Sequence, residues 1–349
     1  MLTTVIGAYP KPKYLELPDW FNADGGTDTQ YPTKDYQDAI KKMGNEAENI
    51  FQRATEEVIK DQIECGIDIL TDGEVRRENY IHYHCRHLDG IDFNKLTKKV
   101  ARTGNYECWL PTITGTIKAK ESFLVREWNL AQKISSKPVK ITIPGPMTIT
   151  DTISNEFYDS AKKMGEDLAE AIKVEINRLA EAGCEYIQVD EPLFARKPKE
   201  AIEYGIKNLE KCFEGIVKKK IDKITHICCG YPDKLDAVNY PKAPLNSYHE
   251  IADMLDNSII DTISIEDAHR YNNLNLLNKY KNKKIIFGVI KIASSKIDSE
   301  KSIYNRVKET LNYIDKERLI LAPDCGLGHL PRELSKKKLK TMTEVANKF

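Results

Sequence analysis

The stretch "AKKMGEDLAEAIKVEINRLAEAGCEYIQVDEP", residues 161–192, contains one complete helix–strand unit. Its first part, residues 161–183, places apolar side chains three and four positions apart, which predicts an amphipathic helix. A short run of β-forming residues, Tyr186–Val189, follows and ends in carboxylates. The segment 44–66, "GNEAENIFQRATEEVIKDQIECG", repeats the helical pattern. Helices that alternate with short apolar strands predict parallel strands joined by crossover helices.

Seven further β-rich runs of this kind are distributed along the chain. Eight strand–helix units in a chain of 349 residues are typical of a closed (β/α)8 barrel, the TIM barrel. The seven runs are Thr3–Ile6, Ile67–Thr71, Val139–Ile143, Ile224–Cys228, Asp261–Ile265, Ile285–Val289 and Leu319–Ala322.

Two segments interrupt the alternation. The segment from about residue 89 to residue 128 contains "YECWLPTITGTIKAK", whose pattern is typical of a β-hairpin, so we predict a hairpin insertion after the second unit. The long loop from Pro10 to Lys34 is rich in Pro, Gly, Asp and Tyr, and we interpret it as a packed lid. With these segments included, we predict one TIM-barrel catalytic domain over residues 1–349.

The composition argues against several classes of function. Lys+Arg and Asp+Glu both total 53, so we predict no nucleic-acid partner, which would require a basic surface. No apolar run approaches the roughly 20 residues needed to span a bilayer, and the N-terminus has no signal-peptide pattern. Eight cysteines are too sparse for a disulfide scaffold, so we expect reduced thiols and a cytoplasmic location.

The predicted fold indicates where the active site lies, because parallel barrels carry their active sites at the C-terminal ends of the strands. The fifth strand ends in "THICCG". Since side chains alternate across a strand, His226 and Cys228 share one face and Cys229 lies on the other. Glu266 after the sixth strand and Cys325 after the eighth complete a candidate metal site. Thiolate and imidazole ligands favour Zn²⁺, which binds four ligands in a tetrahedron.

Two alternatives compete with this metal site. Cys228 and Cys325, taken singly, could be small apolar side chains packed near turns, because free cysteine is often buried. Taken together with His226, three soft ligands at neighbouring strand ends favour a metal. A redox pair of Cys228 and Cys229 is disfavoured, since a disulfide between adjacent residues strains the backbone.

Carboxylates form a second candidate cluster at the same end of the barrel. Glu74 follows the second strand in "TDGE", and Asp190 ends the fourth in "QVDEP". Either alone could be a helix cap or a surface acid, but two converging carboxylates could bind a substrate ammonium. Gly7, in "IGAYP" after the first strand, has no Cβ and lets backbone N–H groups approach a carboxylate. Beside a zinc ion that activates thiols, these groups predict a site for an amino acid carrying a thiol.

Seven short motifs occur in order along nearly the whole chain. Each is weak alone, but in combination they resemble the catalytic domain of the cobalamin-independent methionine synthase family. The resemblance implies a zinc-dependent methyltransferase that transfers a methyl group to the thiol of homocysteine and forms methionine. The motifs are "IGAYP", "DGE", "GPMT", "IQVDEP", "HIC", "ISIED" and "PDCGL".

The resemblance also implies roles for individual residues. It implies that Glu74 and Asp190, the proposed catalytic residues, bind the amine of homocysteine, and that Glu266 yields its place on the metal to the substrate sulfur. The implied zinc ligands are His226, Cys228, Glu266 and Cys325. The implied binding site of the substrate carboxylate is the backbone of Ile6, Gly7 and Ala8.

Four departures from the family pattern matter, and those at Thr152, Trp109 and Ala293 put the methyl donor in question. Ala8 replaces a serine, which removes one hydroxyl from the carboxylate site. Thr152 replaces a tryptophan that stacks on folate, and Trp109 replaces an arginine of the hairpin. Ala293 replaces a histidine that carries a proton. The sequence also lacks the N-terminal barrel of the longer members, so it resembles the short core members.

The methyl donor therefore stays open between methyl-tetrahydrofolate and a methyl-corrinoid protein, and a helper protein is a further candidate partner.

Two alternative functions would use the same zinc site. One is a related alkyl transfer to another thiol such as coenzyme M, which has no ammonium for Glu74 and Asp190 to bind. The other is a non-catalytic zinc-binding module, although structural zinc sites are usually closed by four Cys or His ligands.

Overall fold

The computed structural model describes residues 1–19, 32–101, 106–216, 221–232, 234–237 and 240–349. Its strands are short, and most of them coincide with the apolar runs of the sequence. In chain order they are β1 (Leu2–Thr3), β2 (Leu70–Thr71), β3 (Leu88–Ala101), β4 (Tyr106–Ala119), β5 (Val139–Pro144), β6 (Ser154–Asn155), β7 (Tyr186–Asp190), β8 (Asp222–Ile227), β9 (Thr262–Ile265), β10 (Lys284–Ile290) and β11 (Leu319–Pro323).

Eight of these strands form one parallel sheet in the order β1-β11-β10-β9-β8-β7-β5-β2. A parallel bridge between Thr4 and Ile69 joins the chain just after β1 to the chain just before β2. The backbone N–H of Ile69 donates to the carbonyl of Thr3 at 3.0 Å, so the two edges of the sheet meet. The predicted (β/α)8 TIM barrel is confirmed.

Helices cover the outside of the barrel, as crossover connections require. They are α1 (Pro32–Met43), α2 (Ala47–Glu64), α3 (Tyr80–Cys85), α4 (Leu124–Ile134), α5 (Pro146–Thr152), α6 (Ala161–Ala182), α7 (Leu193–Arg196), α8 (Pro198–Glu200), α9 (Ile206–Cys212), α10 (Ser247–Asp256), α11 (Glu300–Thr310) and α12 (Arg332–Ala346). A π-helical turn, Ala201–Gly205, links α8 to α9, and short 3-10 helices cover Gly44–Glu46, Leu274–Lys279 and Lys316–Arg318.

Helix α6 shows how the sequence sets the ends of these elements. The Ser160 side chain accepts a hydrogen bond from the Lys163 backbone N–H at 3.1 Å and caps the N-terminus. Gly183 ends the helix with φ of 108°, a left-handed conformation that favours glycine. The apolar face of α6 packs against the strands, as its residue spacing predicts.

The alternation of side chains divides the strands into two packed layers. Residues that point outward, such as Ile187, Ile227 and Ile263, are buried against the helices. The barrel interior contains a smaller apolar cluster of Ile6, Ile224, Ile286, Ile320 and Ala322. Polar residues at the ends of the same strands face inward above this cluster.

The predicted hairpin insertion is present after the second unit. Strands β3 and β4 pair antiparallel, with Lys98 opposite Trp109, and β4 also pairs with the short strand β6. The predicted segment extended to residue 128 and therefore included the start of α4, which belongs to the next barrel unit.

The loop predicted as a lid is described only in part, since residues 20–31 lie outside the described residues. In the described part, Leu15 and Leu17 are buried, and the Tyr14 hydroxyl donates to Glu57 of α2 at 3.0 Å. This part of the loop therefore packs on the barrel. Within the described residues, no helix is both long and apolar enough to cross a membrane.

Candidate active site

Three potential metal ligands converge at the C-terminal ends of β8 and β11. The donor atoms of His226, Cys228 and Cys325 all lie within 4.8 Å of one another, and His226 Nε2 is 3.3 Å from Cys325 Sγ. Among the described residues, no second group of three such donors is found. Cys229 belongs instead to the apolar layer between strands and helices, on the face that strand alternation predicts.

Hydrogen bonds orient the His226 ring and join the two thiols of this cluster. His226 Nδ1 lies 2.9 Å from Ser264 Oγ on β9, an interaction that can hold the ring with Nε2 directed at the cysteines. A hydrogen bond from the Cys325 thiol lowers the pKa of Cys228, and the same bond raises the pKa of Cys325. One imidazole and two thiols that share a proton form a donor set suited to a soft or borderline cation.

Glu266 lies beside this cluster but is not one of the three converging ligands. Its carboxylate is buried, and Oε2 is 3.1 Å from Nζ of Lys242. Burial, together with repulsion from Asp324, raises the pKa of Glu266 to about 7, although the nearby Lys242 ammonium opposes this rise. Glu266 thus hydrogen-bonds the Cys228 thiol and also pairs with Lys242, a second partner that the sequence pattern did not identify.

A buried aspartate joins the loops that carry Glu266 and Cys325. The carboxylate of Asp324 accepts hydrogen bonds from the backbone N–H groups of Asp267, Ala268 and His269 at 2.7–2.9 Å. A Cβ at Gly288 would lie 2.1 Å from Asp324 Oδ1, so this position on β10 requires a glycine. The two strand ends are therefore fixed relative to each other by the protein itself.

Glu74 is held in place by its turn and by two neighbours. Its φ of 55° lies in the left-handed region, which is uncommon for a residue with a side chain. Thr142 Oγ1 donates to Glu74 Oε1 at 2.7 Å, and the buried guanidinium of Arg77 lies 3.5 Å from the same oxygen. A Cβ at Gly7 would lie 2.4 Å from Oε1, so the missing side chain at Gly7 makes room for this carboxylate.

Asp190 lies at the end of β7, which is separated from β2 by the single strand β5. Its Oδ1 accepts from Gln188 Nε2 at 2.7 Å, and the Gln188 amide also accepts from the buried Lys140 Nζ at 2.6 Å. Burial raises the pKa of both Glu74 and Asp190, and the negative charge of Glu74 raises that of Asp190 further. Two buried carboxyl groups that repel each other form a favourable position for a cation.

The backbone of Ile6, Gly7 and Ala8 lies next to these carboxylates, and each of its three carbonyl groups accepts a hydrogen bond. The carbonyl of Ile6 accepts from Gln188 Nε2 at 3.1 Å, that of Gly7 from Thr71 Oγ1 at 2.9 Å, and that of Ala8 from the Leu327 N–H at 2.8 Å. These contacts fix the orientation of the three peptide groups. Because Ala8 has a methyl side chain, it brings no hydroxyl to this position.

Tyr80, at the start of α3, lies between the two clusters and was not identified from the sequence. Burial raises the pKa of its phenol, and so do the charges of Asp190, Cys228, Cys325 and Glu74. The phenol is thus near members of both clusters at once. The only sequence signal is its place in the helix that follows the "DGE" turn, which does not distinguish it from a core aromatic residue.

The positions associated with the methyl donor have a different character. The Thr152 hydroxyl donates to the Thr148 carbonyl at 2.6 Å, an ordinary contact within α5. Ala293 is buried, and its N–H donates to His269 Nε2 at 3.2 Å, as does the N–H of Ile292 at 3.0 Å. Burial lowers the pKa of His269 to about 3, which favours the neutral imidazole.

The sequence as a whole was compared with known proteins. The family model described as the catalytic domain of cobalamin-independent synthase matches residues 1–348. The chain belongs to the cobalamin-independent methionine synthase family. It is therefore an enzyme of the methyltransferase class, and the alternative of a non-catalytic zinc-binding module is wrong.

Individual members of the family agree with this assignment. The methionine synthase of Saccharolobus solfataricus is 31% identical over 346 residues, which cover 98% of this chain and 92% of that protein. The methionine synthase of Sulfolobus acidocaldarius is 30% identical over 344 residues, covering 98% of this chain and 90% of that protein. The family resemblance thus extends over nearly the whole length of these curated members.

A solved structure from the family has the same architecture. The B12-independent methionine synthase from Shewanella sp. W3-18-1, in complex with selenomethionine, matches with a TM-score of 0.84 and 28% identity. The match covers 99% of this chain and 96% of that chain. The barrel and its inserted segments are therefore a shared framework.

Proposed function

We propose that this protein forms methionine by transferring a methyl group to the thiol of homocysteine, and that it depends on zinc. The observation that carries the proposal is the meeting of two unlike clusters at one end of the barrel. One cluster, His226, Cys228 and Cys325, suits a metal that binds a thiol, and the other, Glu74 and Asp190, suits an ammonium group. Homocysteine carries both groups.

In this proposal His226, Cys228 and Cys325 hold the zinc, with Glu266 as a fourth and more weakly held ligand. Bound zinc would supply a thiolate at neutral pH, because coordination removes the proton of a thiol whose free pKa is about 8.5. Ser264 keeps the His226 ring oriented through Nδ1. Asp324 keeps the Glu266 and Cys325 loops together before any substrate arrives.

The amino-acid end of homocysteine is bound by groups on β2, β7 and the chain after β1. Glu74 and Asp190 receive the ammonium, and Arg77 and Thr142 keep Glu74 in position. The backbone N–H groups of Ile6, Gly7 and Ala8 donate to the carboxylate. The carbonyl groups of the same residues are engaged in other hydrogen bonds. The Shewanella enzyme was solved in complex with selenomethionine, which has the same amino-acid end as homocysteine, and this supports the proposed binding mode.

The proposed methyl donor is a protein-borne methyl group, such as that of a methyl-corrinoid protein, delivered directly or with a helper protein. Thr152 cannot stack on a pterin ring, and its hydroxyl is engaged within α5. Ala293 offers no proton carrier on this side of the barrel. Free methyl-tetrahydrofolate is the alternative donor, with Trp109 as the first candidate for a replacement stacking surface.

The two rival substrates, homocysteine and coenzyme M, differ in the ammonium group that Glu74 and Asp190 would bind. Coenzyme M has no ammonium, so Glu74 and Asp190 would remain as two buried carboxyl groups without a cation. This favours homocysteine over coenzyme M. We further propose that residues 1–349 act as a single catalytic domain.

The decisive experiment measures methionine formation by the purified, zinc-loaded protein from homocysteine. Methyl-tetrahydrofolate and a methylated corrinoid protein are supplied in parallel reactions, and coenzyme M replaces homocysteine in a third. Methionine in either of the first two supports the proposed reaction. Methylation of coenzyme M alone would contradict it.

A further inference from the structure

Lys242 forms an ion pair with Glu266 inside the candidate site. The distance from Nζ to Oε2 is 3.1 Å, and the side chains of Lys242 and Glu266 are only 14% and 6% exposed. In contrast to the many lysines on the surface, this one is directed at a residue of the metal site. Its position in the sequence, in the connection between β8 and α10, gave no indication of this contact.

The connection around Lys242 is anchored to the strand that carries His226 and Cys228. The N–H of Ala243 donates to the carbonyl of Cys229 at 2.8 Å. A Cβ at Gly230 would lie 2.4 Å from the carbonyl oxygen of Pro241, so the two segments are in close contact. The Lys242 ammonium also lies 4.8 Å from the centre of the Tyr240 ring, a cation–π contact. These contacts fix the position of the ammonium.

A buried carboxylate needs a partner, because an unpaired charge is strongly disfavoured in a site from which water is excluded. The Glu266 carboxylate hydrogen-bonds the Cys228 thiol and pairs with the Lys242 ammonium. A cation held by His226, Cys228 and Cys325 would therefore compete with Lys242 for this carboxylate. If Lys242 were absent, departure from the metal would leave the carboxylate buried and unpaired. With Lys242 present, that cost is largely removed.

We infer that Lys242 is a positioning residue that competes with the bound metal for the Glu266 carboxylate and so makes the fourth position available to the substrate sulfur. This inference rests on the proposed function and adds the residue that makes the exchange of ligands favourable. Lys242 competes with the metal for Glu266 before substrate binds, and it keeps Glu266 paired afterwards.

The inference is tested by metal affinity and by thiol binding, measured on the full-length protein with Co²⁺ as a spectroscopic substitute for zinc. Lys242→Met removes the competing ammonium, so Co²⁺ should bind about tenfold more tightly, and about tenfold more homocysteine should be needed to change the cobalt spectrum. Lys242→Arg keeps the charge and should restore values near those of wild type. Lys163→Met, which removes an exposed pairing with Asp167, is the matched control and should change neither value.

A double-mutant cycle separates an action through Glu266 from a general effect on the site. In a Glu266→Gln background, Lys242→Met should no longer change Co²⁺ affinity. Lys242→Gln is a second neutral variant that replaces Lys242→Met in the cycle if the latter does not fold. Equal effects of Lys242→Met with and without Glu266, or unchanged Co²⁺ affinity in Lys242→Met, would overturn the inference.

The two proposals fail in different ways. Metal affinity is measured without substrate, so it tests the pairing of Lys242 with Glu266 whatever the substrate is. A wild-type cobalt spectrum that does not respond to homocysteine would contradict the proposed function instead.

Discussion

The two sides of the barrel mouth differ in how much their chemistry depends on buried charge. On the proposed thiol side, charged pairs such as Lys242 with Glu266 and Arg77 with Glu74 lie beside the thiols and the imidazole, and burial raises the pKa of Glu74, Asp190 and Glu266. On the proposed donor side, Thr152 and Ala293 are small and neutral. The Thr152 hydroxyl bonds within α5, and the Ala293 N–H donates to His269. Under the proposed function, the comparison teaches that one substrate site is kept while the surface for the second substrate is rebuilt.

This contrast has a physical basis. Some charged residues of this side are stabilised by another one, as Glu266 is by Lys242 and Glu74 by Arg77, so a change to one of them leaves a buried charge unpaired. The side chains of Thr152 and Ala293 carry no charge that needs a partner. The donor side can therefore change residue by residue, whereas the thiol side must change as a set.

The largest effect is expected from removal of a thiol ligand. Cys228→Ser and Cys325→Ser should lose nearly all bound zinc and all methyl transfer, because a hydroxyl is a much poorer ligand than a thiolate. Metal analysis of the purified variants measures this. Cys229→Ser is the matched control and should keep its zinc, since Cys229 belongs to the outer layer. Equal zinc loss in this control would remove the distinction between the two faces of β8.

A smaller but still large effect is expected from the carboxylate pair. Glu74→Gln and Asp190→Asn should each lower kcat/KM for homocysteine roughly a hundredfold, because each loses a charge-assisted bond to the substrate amine. Zinc content should stay unchanged, which distinguishes these residues from the metal ligands. Steady-state kinetics with wild-type-like values in both variants would contradict an amino-acid substrate.

At constant zinc content, the rate of methyl transfer should depend on which methyl donor is supplied. With zinc, homocysteine and methyl-tetrahydrofolate, the purified protein should turn over roughly tenfold to a hundredfold more slowly than an ordinary enzyme near ~10 per second, because no tryptophan at position 152 stacks on the pterin. A methylated corrinoid protein should raise the rate. If the folate rate is ordinary, Trp109→Ala becomes the test of a substitute stacking surface.

The smallest expected effect is the pH dependence of amino-acid binding. Because burial raises the pKa of Glu74 and Asp190, a larger fraction of these groups is protonated near neutral pH, and an ammonium must displace the proton. Binding should therefore weaken as pH falls, by at most about tenfold per pH unit for one displaced proton. Calorimetry with methionine, which has no thiol proton to lose, measures this.

The control for this pH dependence is Asp190→Asn, which removes one of the two titrating groups. Its methionine affinity should be lower overall and should vary less with pH than that of wild type. A wild-type affinity that does not change between about pH 6 and 8 would show that both carboxyl groups are already ionised in the free protein.

The sequence predicted those parts of the molecule that depend on local pattern. The apolar runs located all eight barrel strands, and their alternation separated Cys228 from Cys229. The first two runs were predicted too long. Before β2, the Ile67 N–H donates to the Gln62 carbonyl at 3.1 Å, and Ile69 forms only an isolated bridge with Thr4. After β1, the Gln188 and Thr71 side chains bond the carbonyls of Ile6 and Gly7. Bonds other than strand pairing thus hold the backbone at these positions.

The residues that the sequence did not reveal act through contacts between distant segments. Lys242 and Tyr80 resemble a surface lysine and a core aromatic residue until the barrel brings them to the site. Asp324 is next to a recognised cysteine, but its bonds to the backbone after Glu266 depend on the packing of two separate loops. Such roles follow from tertiary structure and leave no local pattern.

The pairing of β1 with β11 has a consequence for the order of events during folding. Leu2 pairs with Ile320 and Thr3 with Leu321, so the contact joins opposite ends of the chain. Contacts at such large sequence separation form slowly, because a long loop must be closed before they stabilise anything. Gly7 follows β1 and Cys325 follows β11, so both are brought into place by this closure. Cys325 therefore joins the other site residues only when β11 pairs, and the complete binding site forms only with that strand.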